Sequence, residues 1–135
     1  MRKYICLLLI LFTTVNLECR DKIDSLYRLF KNSKEDTVKV KLLIEISKHE
    51  LRYNSKDAQF SLDQAIKLAN SVKYPRGLIE AYLQSSIMNA NLGNFDIAIS
   101  DSKRAIDESY KLSDSALIAR SLLIIGIHYG RMAQY

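Results

Sequence analysis

Apolar residues recur at intervals of three and four along most of the chain, which is the spacing of amphipathic helices. This pattern predicts six helices, over residues 21–30, 38–53, 56–72, 75–92, 95–112 and 115–131. Pro75 suits the first turn of a helix, where its missing N–H is not needed. The chain has one proline and four glycines. It therefore lacks the frequent turn-forming and helix-breaking residues that are typical of strand-rich or disordered segments. We therefore expect an all-α fold.

These helices follow a 40-residue repeat. Internal repetition at roughly 20 to 50 residues is typical of solenoids, in which each unit buries its apolar face by stacking on a neighbour. Within one unit, Gly93 marks a turn, and the helix after it carries small residues seven apart on one face. The repeated unit is therefore a helical hairpin, and proteins of this kind usually act by binding. The recurring residues are Ala58 and Ala98, Ala65 and Ala105, Ile66 and Ile106, and Leu43, Leu83 and Leu123.

The middle unit resembles a tetratricopeptide repeat. That family places an aromatic residue, Leu-Gly and Tyr in the first helix, a glycine in the turn, and small and apolar residues in the second helix. The chain departs from the pattern at Ser85, Ser86 and Ser102. Its period also exceeds the usual ~34 residues, so we place the extra residues in a longer second helix and in the loops near Pro75 and Ser113. The matching residues are Tyr82, Gly93, Phe95, Ala98, Ala105 and Ile106.

The flanking units keep part of the same pattern. The resemblance implies a right-handed superhelical solenoid of antiparallel helix pairs. It divides the chain into a capping helix and linker at 20–35, repeat 1 at 36–75, repeat 2 at 76–114, and the first helix of an incomplete repeat 3 at 115–135. The retained residues are Leu42, Ala58, Leu62, Ala65 and Ile66 in repeat 1, and Leu122, Ile125, Gly126, Tyr129 and Tyr135 in repeat 3.

The third unit lacks its second helix in this plan. We therefore expect the chain to be the front portion of a longer protein. An uncovered apolar face also favours association, so residues 20–135 alone are expected to self-associate through the open repeat or to be marginally stable.

Residues 1–19 have the pattern of a secretory signal peptide. A charged start precedes an apolar run over residues 4–12, which is too short to span a membrane. The segment before Cys19 lacks the small residues of a cleavage site, and Cys19 leaves open a lipoprotein with an acylated N-terminus. We expect an exported bacterial protein, periplasmic or extracellular. Because Cys6 and Cys19 lie in or beside the leader, the mature domain is expected to have no disulfide and no thiolate metal site.

Charge and candidate chemistry narrow the function classes. The net charge of +5 comes from basic residues interspersed with acidic ones, which is typical of solvated helix faces and not of nucleic-acid binding. His49 and His128 lack metal-ligand spacing and are predicted to be helix-surface residues. No serine lies in a nucleophile elbow, and no glycines form a phosphate loop. The apolar run 116–127 is short and contains Arg120, so it is not expected to cross a membrane. We expect no catalytic site, metal or cofactor.

The tetratricopeptide resemblance implies a peptide-binding groove. In that family the first helices of successive units line a concave surface that contacts an extended or helical peptide. By position, Leu43, Leu83 and Leu123 form an apolar stripe in this groove. Arg120 and Arg131 share one helix face near Asn91, where they are predicted to hold a carboxylate or phosphate. The groove residues are Leu43, Ser47, Glu50, Glu80, Leu83, Ile87, Asn91, Arg120, Leu123, Ile127 and Arg131.

A second interpretation of the same positions stays open. The leucine stripe would then belong to the core, and the two arginines would form ion pairs within the chain. Their candidate partners are Glu80, Asp107 and Glu108.

The order of a leader, a short helix and degenerate repeats resembles the exported repeat region of bacterial sensor histidine kinases. None of the kinase motifs is present in this sequence. The predicted function is a protein-interaction module at the front of a longer signal-transduction protein, and its expected partner is a protein or peptide. The alternative is a freestanding secreted or periplasmic adaptor without an output domain.

Overall fold

The structure, a computed structural model, describes residues 21–134. These residues form six helices and no strand, which confirms the expected all-α fold. The observed helix bounds differ from the predicted ones by three residues at most. The predicted leader and Tyr135 lie outside the described residues. The helices are α1 (residues 21–32), α2 (Asp36–Glu50), α3 (Ser55–Ser71), α4 (Pro75–Asn91), α5 (Phe95–Leu112) and α6 (Ser115–Met132).

Local chemistry fixes several of these ends. The side chain of Asn54 accepts a hydrogen bond from the backbone N–H of Lys56 at 2.9 Å, which caps α3. Asp114 caps α6 in the same way through the N–H of Leu117, at 3.1 Å. Gly93 has a φ of 82° in the turn between α4 and α5, a conformation that glycine adopts without steric cost.

Two non-glycine residues adopt the left-handed conformation directly after second helices. Lys73 follows α3 with a φ of 54°, and Ser113 follows α5 with a φ of 55°. A side chain in this region costs about 1–2 kcal/mol. The two residues are 40 positions apart, so the chain makes the same turn at both ends of the middle hairpin.

Helix α4 lies at the centre of the packing. Among α2 to α6, each helix packs on its neighbours in sequence, and α4 also contacts both α2 and α6. By contrast, no Cα atoms of α2 and α6, or of α3 and α5, come within 8 Å of each other. One apolar cluster joins α2, α3 and α4 around Val40 and Ala65, and another joins α4, α5 and α6 around Leu83 and Leu117.

In both complete units the second helix is the longer one. Helix α3 has 17 residues and α2 has 15, while α5 has 18 and α4 has 17. None of the helices formed by residues 21–134 combines the length and apolar character needed to cross a bilayer.

Helix α1 is attached to the first hairpin through a buried carboxylate. The hydroxyl of Tyr27 donates to Glu50 Oε1 at 2.6 Å, and the hydroxyl of Ser61 donates to Glu50 Oε2 at 2.6 Å. Phe30 packs against the apolar cluster of α2, α3 and α4. Burial, together with the hydrogen bond to Glu50, raises the pKa of Tyr27. One carboxylate therefore connects three helices.

Candidate functional site

The predicted leucine stripe does not form a continuous exposed surface. Leu43 and Leu83 lie in the core, whereas Leu123 is 65% exposed. Leu83 packs with Leu117 and Ile124, because α4 lies between α2 and α6. The prediction of an exposed stripe is therefore wrong for Leu43 and Leu83. For these two residues the alternative interpretation, a position in the core, is correct.

Ser47 and Glu50 are also buried, so their placement in an open groove is wrong. The hydroxyl of Ser47 donates to the carbonyl of Ile44 in its own helix at 2.7 Å. Glu50 is covered by α1 and bonded to Tyr27. The predicted groove residues of the first hairpin therefore make contacts within the protein and are not accessible to a partner.

The accessible part of the predicted groove lies on α4 and α6. Glu80 and Ile87 are half-buried on α4, and Asn91 is exposed at its end. On α6, Leu123 and Ile127 are exposed. The accessible groove positions thus belong to α4 and α6, and none of the predicted ones on α2 is accessible.

Arg131 forms bonds that attach α6 to the end of α4. Its guanidinium donates to Asn91 Oδ1 at 3.1 Å and to the carbonyl oxygen of Ala90 at 3.3 Å. It also lies 5.7 Å from the ring centroid of Phe95, within the range of a cation–π interaction. The predicted proximity of Arg131 to Asn91 is confirmed, but these contacts hold the helices together.

The predicted arginine clamp is wrong on geometric grounds. Arg120 and Arg131 are eleven residues apart on one helix, which corresponds to about 16 Å of rise. One carboxylate cannot bridge that distance. The alternative ion pairs are not observed either, since Glu108 pairs with Lys111 at 2.7 Å. Arg120 is exposed, and none of the residues 21–134 forms an ion pair with it.

A surface without charged side chains runs along α6 on the side opposite the core. Leu122, Leu123, Ile127 and Tyr129 are exposed by 46%, 65%, 50% and 48%. Monomeric soluble proteins rarely display a contiguous apolar patch of several large side chains, and such patches usually mark binding sites. We call this surface the outer face of α6 and define it as Ala119, Leu122, Leu123, Gly126, Ile127, Tyr129 and Gly130.

A buried polar cluster joins α4, α5 and α6. Ser86 Oγ lies 2.6 Å from Ser102 Oγ and 2.6 Å from His128 Nε2. Beside them, the hydroxyl of Ser85 donates to Asp101 Oδ2 at 2.7 Å. Burial raises the pKa of Asp101, while the hydrogen bond from Ser85 opposes this shift. Hydroxyl groups therefore connect three helices at this level of the array.

His128 was predicted to be a surface residue, and this prediction is wrong. Its side chain is 3% exposed, because it shares the core-facing side of α6 with Leu117, Ser121 and Ile124. Its Nδ1 atom is buried without a hydrogen-bond partner among the described residues. Burial lowers the pKa of His128, and the nearby positive charge of Arg131 lowers it further. The neutral imidazole is thus the form that fits this site.

This cluster stabilises the packing and does not form an open site. Ser86 and Ser102 have no exposed surface, so a substrate has no access to their hydroxyl groups. The sequence contained a signal for the cluster that we did not use. Ser85, Ser86 and Ser102 are the departures from the family pattern; Ser86 meets Ser102 across α4 and α5, and Ser85 meets Asp101.

A cleft of about 480 Å³ lies where the α3–α4 turn approaches the α5–α6 turn. Arg76 and Asp114 form an ion pair across it, which connects the start of α4 to the cap of α6. The cleft is lined by Tyr74, Pro75, Arg76, Leu112, Ser113 and Asp114.

Neither metal coordination nor similarity to known proteins adds a further site. Within the described part of the chain, no group of three or more His, Cys, Asp or Glu side chains is placed to hold a metal ion. No family model, curated protein or solved structure matches the chain.

Proposed function

We propose that this chain is a protein-interaction module built from tetratricopeptide-like helical repeats. The observation that carries the proposal is the order of the helix contacts. The backbones of the first helices α2, α4 and α6 approach within 8 Å in succession, whereas those of the second helices α3 and α5 stay farther apart than that. Helices that are closer on one side than on the other form a curved array, and such arrays bind partners on the inner side.

The chemistry of the accessible surface supports the same function. Ile87 of α4 is partly buried against the apolar cluster of α4, α5 and α6, and α6 exposes apolar side chains, among them Leu123. Apolar side chains next to isolated charges are typical of peptide-binding surfaces. The titratable groups of the buried cluster, His128 and Asp101, are occupied in helix packing.

Site-specific photo-crosslinking tests the proposal. We would place a photoreactive amino acid at Glu80 or Ile87 in cells that produce the protein. The matched controls are Lys67 and Lys103, exposed positions on the second helices α3 and α5. We expect the same partner to be captured from both groove positions and from neither control. Equal capture from all four positions, or capture from none, would contradict the proposed function.

We also propose that the module is exported and acts at the front of a longer signalling protein such as a sensor histidine kinase. This part depends on the charged and apolar pattern of residues 1–19. Mass spectrometry of exported protein should find these residues removed, and an intact Met1 in a cytoplasmic pool would contradict export. The downstream coding sequence distinguishes a sensor kinase from a freestanding adaptor.

A further inference from the structure

Polar side chains hold the last two turns of α6 against α4 and α5. The apolar contacts that α6 makes in this part of the core come from Leu117 and Ile124, which both precede residue 125. Among residues 125–132, His128 is the one buried residue, and Arg131 donates to Asn91 Oδ1 at the end of α4, at 3.1 Å. The attachment of residues 125–132 therefore depends on a histidine and an arginine.

The surroundings of His128 satisfy its neutral form. Nε2 lies 2.6 Å from the hydroxyl oxygen of Ser86, and Nδ1 is buried without a hydrogen-bond partner among residues 21–134. A neutral imidazole carries one N–H and leaves its other nitrogen as an acceptor, whereas a protonated imidazole donates from both nitrogens. When Nε2 carries the hydrogen and Ser86 accepts it, Nδ1 has nothing to donate. Protonation then places a donor on Nδ1 where none of these residues offers an acceptor, which is unfavourable in a buried site.

Within the described part of the chain, no carboxylate compensates a positive charge on His128. Burial lowers the pKa of His128, and the charge of Arg131, three residues later on the same helix, lowers it further. On α5, the carboxylate of Asp101 accepts a hydrogen bond from Ser85 of α4 instead. The carboxylate of α4, Glu80, lies near the start of that helix, whereas His128 lies beside its C-terminal half. A proton on His128 therefore meets one like charge and no opposite one.

Exposure to water removes both unfavourable effects. If residues 125–132 separate from α4 and α5, water accepts the hydrogen bond from Nδ1 and screens the histidine from Arg131. The separation exposes little additional apolar surface, because the large apolar side chains of this segment already lie in solvent. These exposed residues are Ile127, Tyr129 and Met132.

The first part of α6 keeps its attachment in such an opening. Leu117 and Ile124 remain in the apolar cluster of α4, α5 and α6. At the start of the helix, Asp114 accepts from the backbone N–H of Leu117 and forms an ion pair with Arg76 of α4. Gly126 lies where the two parts of the helix meet, and a glycine inside a helix lowers its stability at that point.

We propose that protonation of His128 releases residues 125–132 of α6 from α4 and α5 while residues 115–124 stay packed, so that this contact opens as pH falls. The effect is local and does not depend on the proposed function. It moves Ile127 of α6 relative to Asn91 of α4, two accessible residues of the predicted groove. A surface that uses both helices would therefore change shape with pH.

Amide hydrogen exchange of the full chain tests the proposal, with each rate divided by its intrinsic rate at the same pH. Because the pKa of His128 is lowered in the closed form, that form is fully favoured above about pH 6.5 and loses stability as pH falls from there. Between about pH 7.5 and about pH 5, we expect the protection of residues 125–132 to fall about fivefold or more. The protection of residues 115–121 and of α2 should change by less than about twofold.

Two histidine variants show which group is responsible. His128→Met introduces the residue that stands at the equivalent position of α4, where Met88 is buried. This variant should abolish the pH dependence of residues 125–132. His49→Gln is the matched control and should keep that dependence.

NMR of the histidine rings in the natural chain provides a readout that needs no variant. The titration midpoint of His128 should lie below that of the same ring in the urea-unfolded chain, and the protection of residues 125–132 should decline between the two midpoints. Equal midpoints, or unchanged protection across that interval, would overturn the proposal. So would an equal loss of protection in all six helices, which indicates global unfolding, or a pH dependence that persists in His128→Met.

Discussion

At the scale of single residues, the hydroxyl of Ser86 is the point where α4, α5 and α6 meet. It lies within hydrogen-bond distance of Ser102 and of His128. The equivalent positions in the first hairpin are Ile46 and Leu62, both fully buried. The second hairpin thus has polar side chains where the first has apolar ones, and its stability depends on keeping the buried hydroxyl groups hydrogen-bonded.

Ser86→Ala should lower the free energy of unfolding by about 1–3 kcal/mol, because it leaves His128 Nε2 buried without a partner. Ser102→Ala should lower it by about 1 kcal/mol or less, since the bond from Ser86 to His128 remains. Urea denaturation of both variants measures the difference. A larger loss for Ser102→Ala would show that the histidine does not depend on Ser86.

His128 makes the stability of the protein depend on pH. Burial holds the pKa of His128 in the folded state below its usual value, so the unfolded chain takes up the proton first as pH falls. The contribution of His128 to the free energy of unfolding is therefore fully present above about pH 6.5. It is lost as pH falls from there towards the pKa of His128 in the folded state. Burial raises the pKa of Asp101 in the folded state. The contribution of Asp101 to the free energy of unfolding is therefore lost as pH rises through that pKa.

His128→Met, the residue found at the equivalent position Met88, isolates the histidine. Urea midpoints of this variant should change less between about pH 7.5 and about pH 5.5 than those of the natural chain. His49→Gln is the comparison variant, because burial also lowers the pKa of His49. An unchanged pH profile in His128→Met would show that His128 is not the group that titrates.

At the scale of elements, α5 is defined by its small buried side chains. Four of its side chains have no exposed surface and are small enough for α4 and α6 to pack closely against α5: Ala98, Ser102, Ala105 and Ser109.

Ala98→Phe should overpack this helix contact. We expect it to lower the thermal midpoint and to reduce the free energy of unfolding by about 1–3 kcal/mol or more. Ser100→Phe, exposed on the same helix, should have little effect. Equal shifts in both variants would contradict the assigned face of α5.

The helices themselves were predictable from the sequence because their signals are local. Apolar spacing, Pro75 and Gly93 fixed the bounds to within three residues. The buried faces were less predictable. Leu83 lies on a helix that is covered from several sides, and periodicity alone does not show which neighbour covers an apolar residue. The groove prediction therefore assigned a core leucine to the surface.

Part of the candidate site was recoverable from spacing that we did not use. Leu117, Ser121, Ile124 and His128 follow intervals of four, three and four on the core-facing side of α6, which places the histidine inside. The role of Arg131 was not recoverable in this way. Its bonds to Ala90 and Asn91 depend on how α6 lies across the end of α4, and this is a tertiary property.

At the scale of the whole molecule, stability should decrease from the centre outward. Most of α4 is buried, while one side of α6 is exposed to solvent. Arrays with neighbour-only contacts open locally at their ends. Hydrogen exchange followed by mass spectrometry should find α4 more protected than α6 by at least tenfold in exchange rate, a difference of about 1.4 kcal/mol. Uniform protection across α4 and α6 would indicate a single cooperative unit instead.

The matched left-handed residues Lys73 and Ser113 bear on how such a protein changes in size over evolution. Since the same turn closes both second helices, a gene duplication of residues 74–113 would insert a new hairpin whose two junctions already have a native conformation. An insertion inside a helix, by contrast, would rotate the later residues of that helix away from their partners. The chain is therefore suited to grow or shrink by whole hairpins, with each event preserving the contacts on both sides.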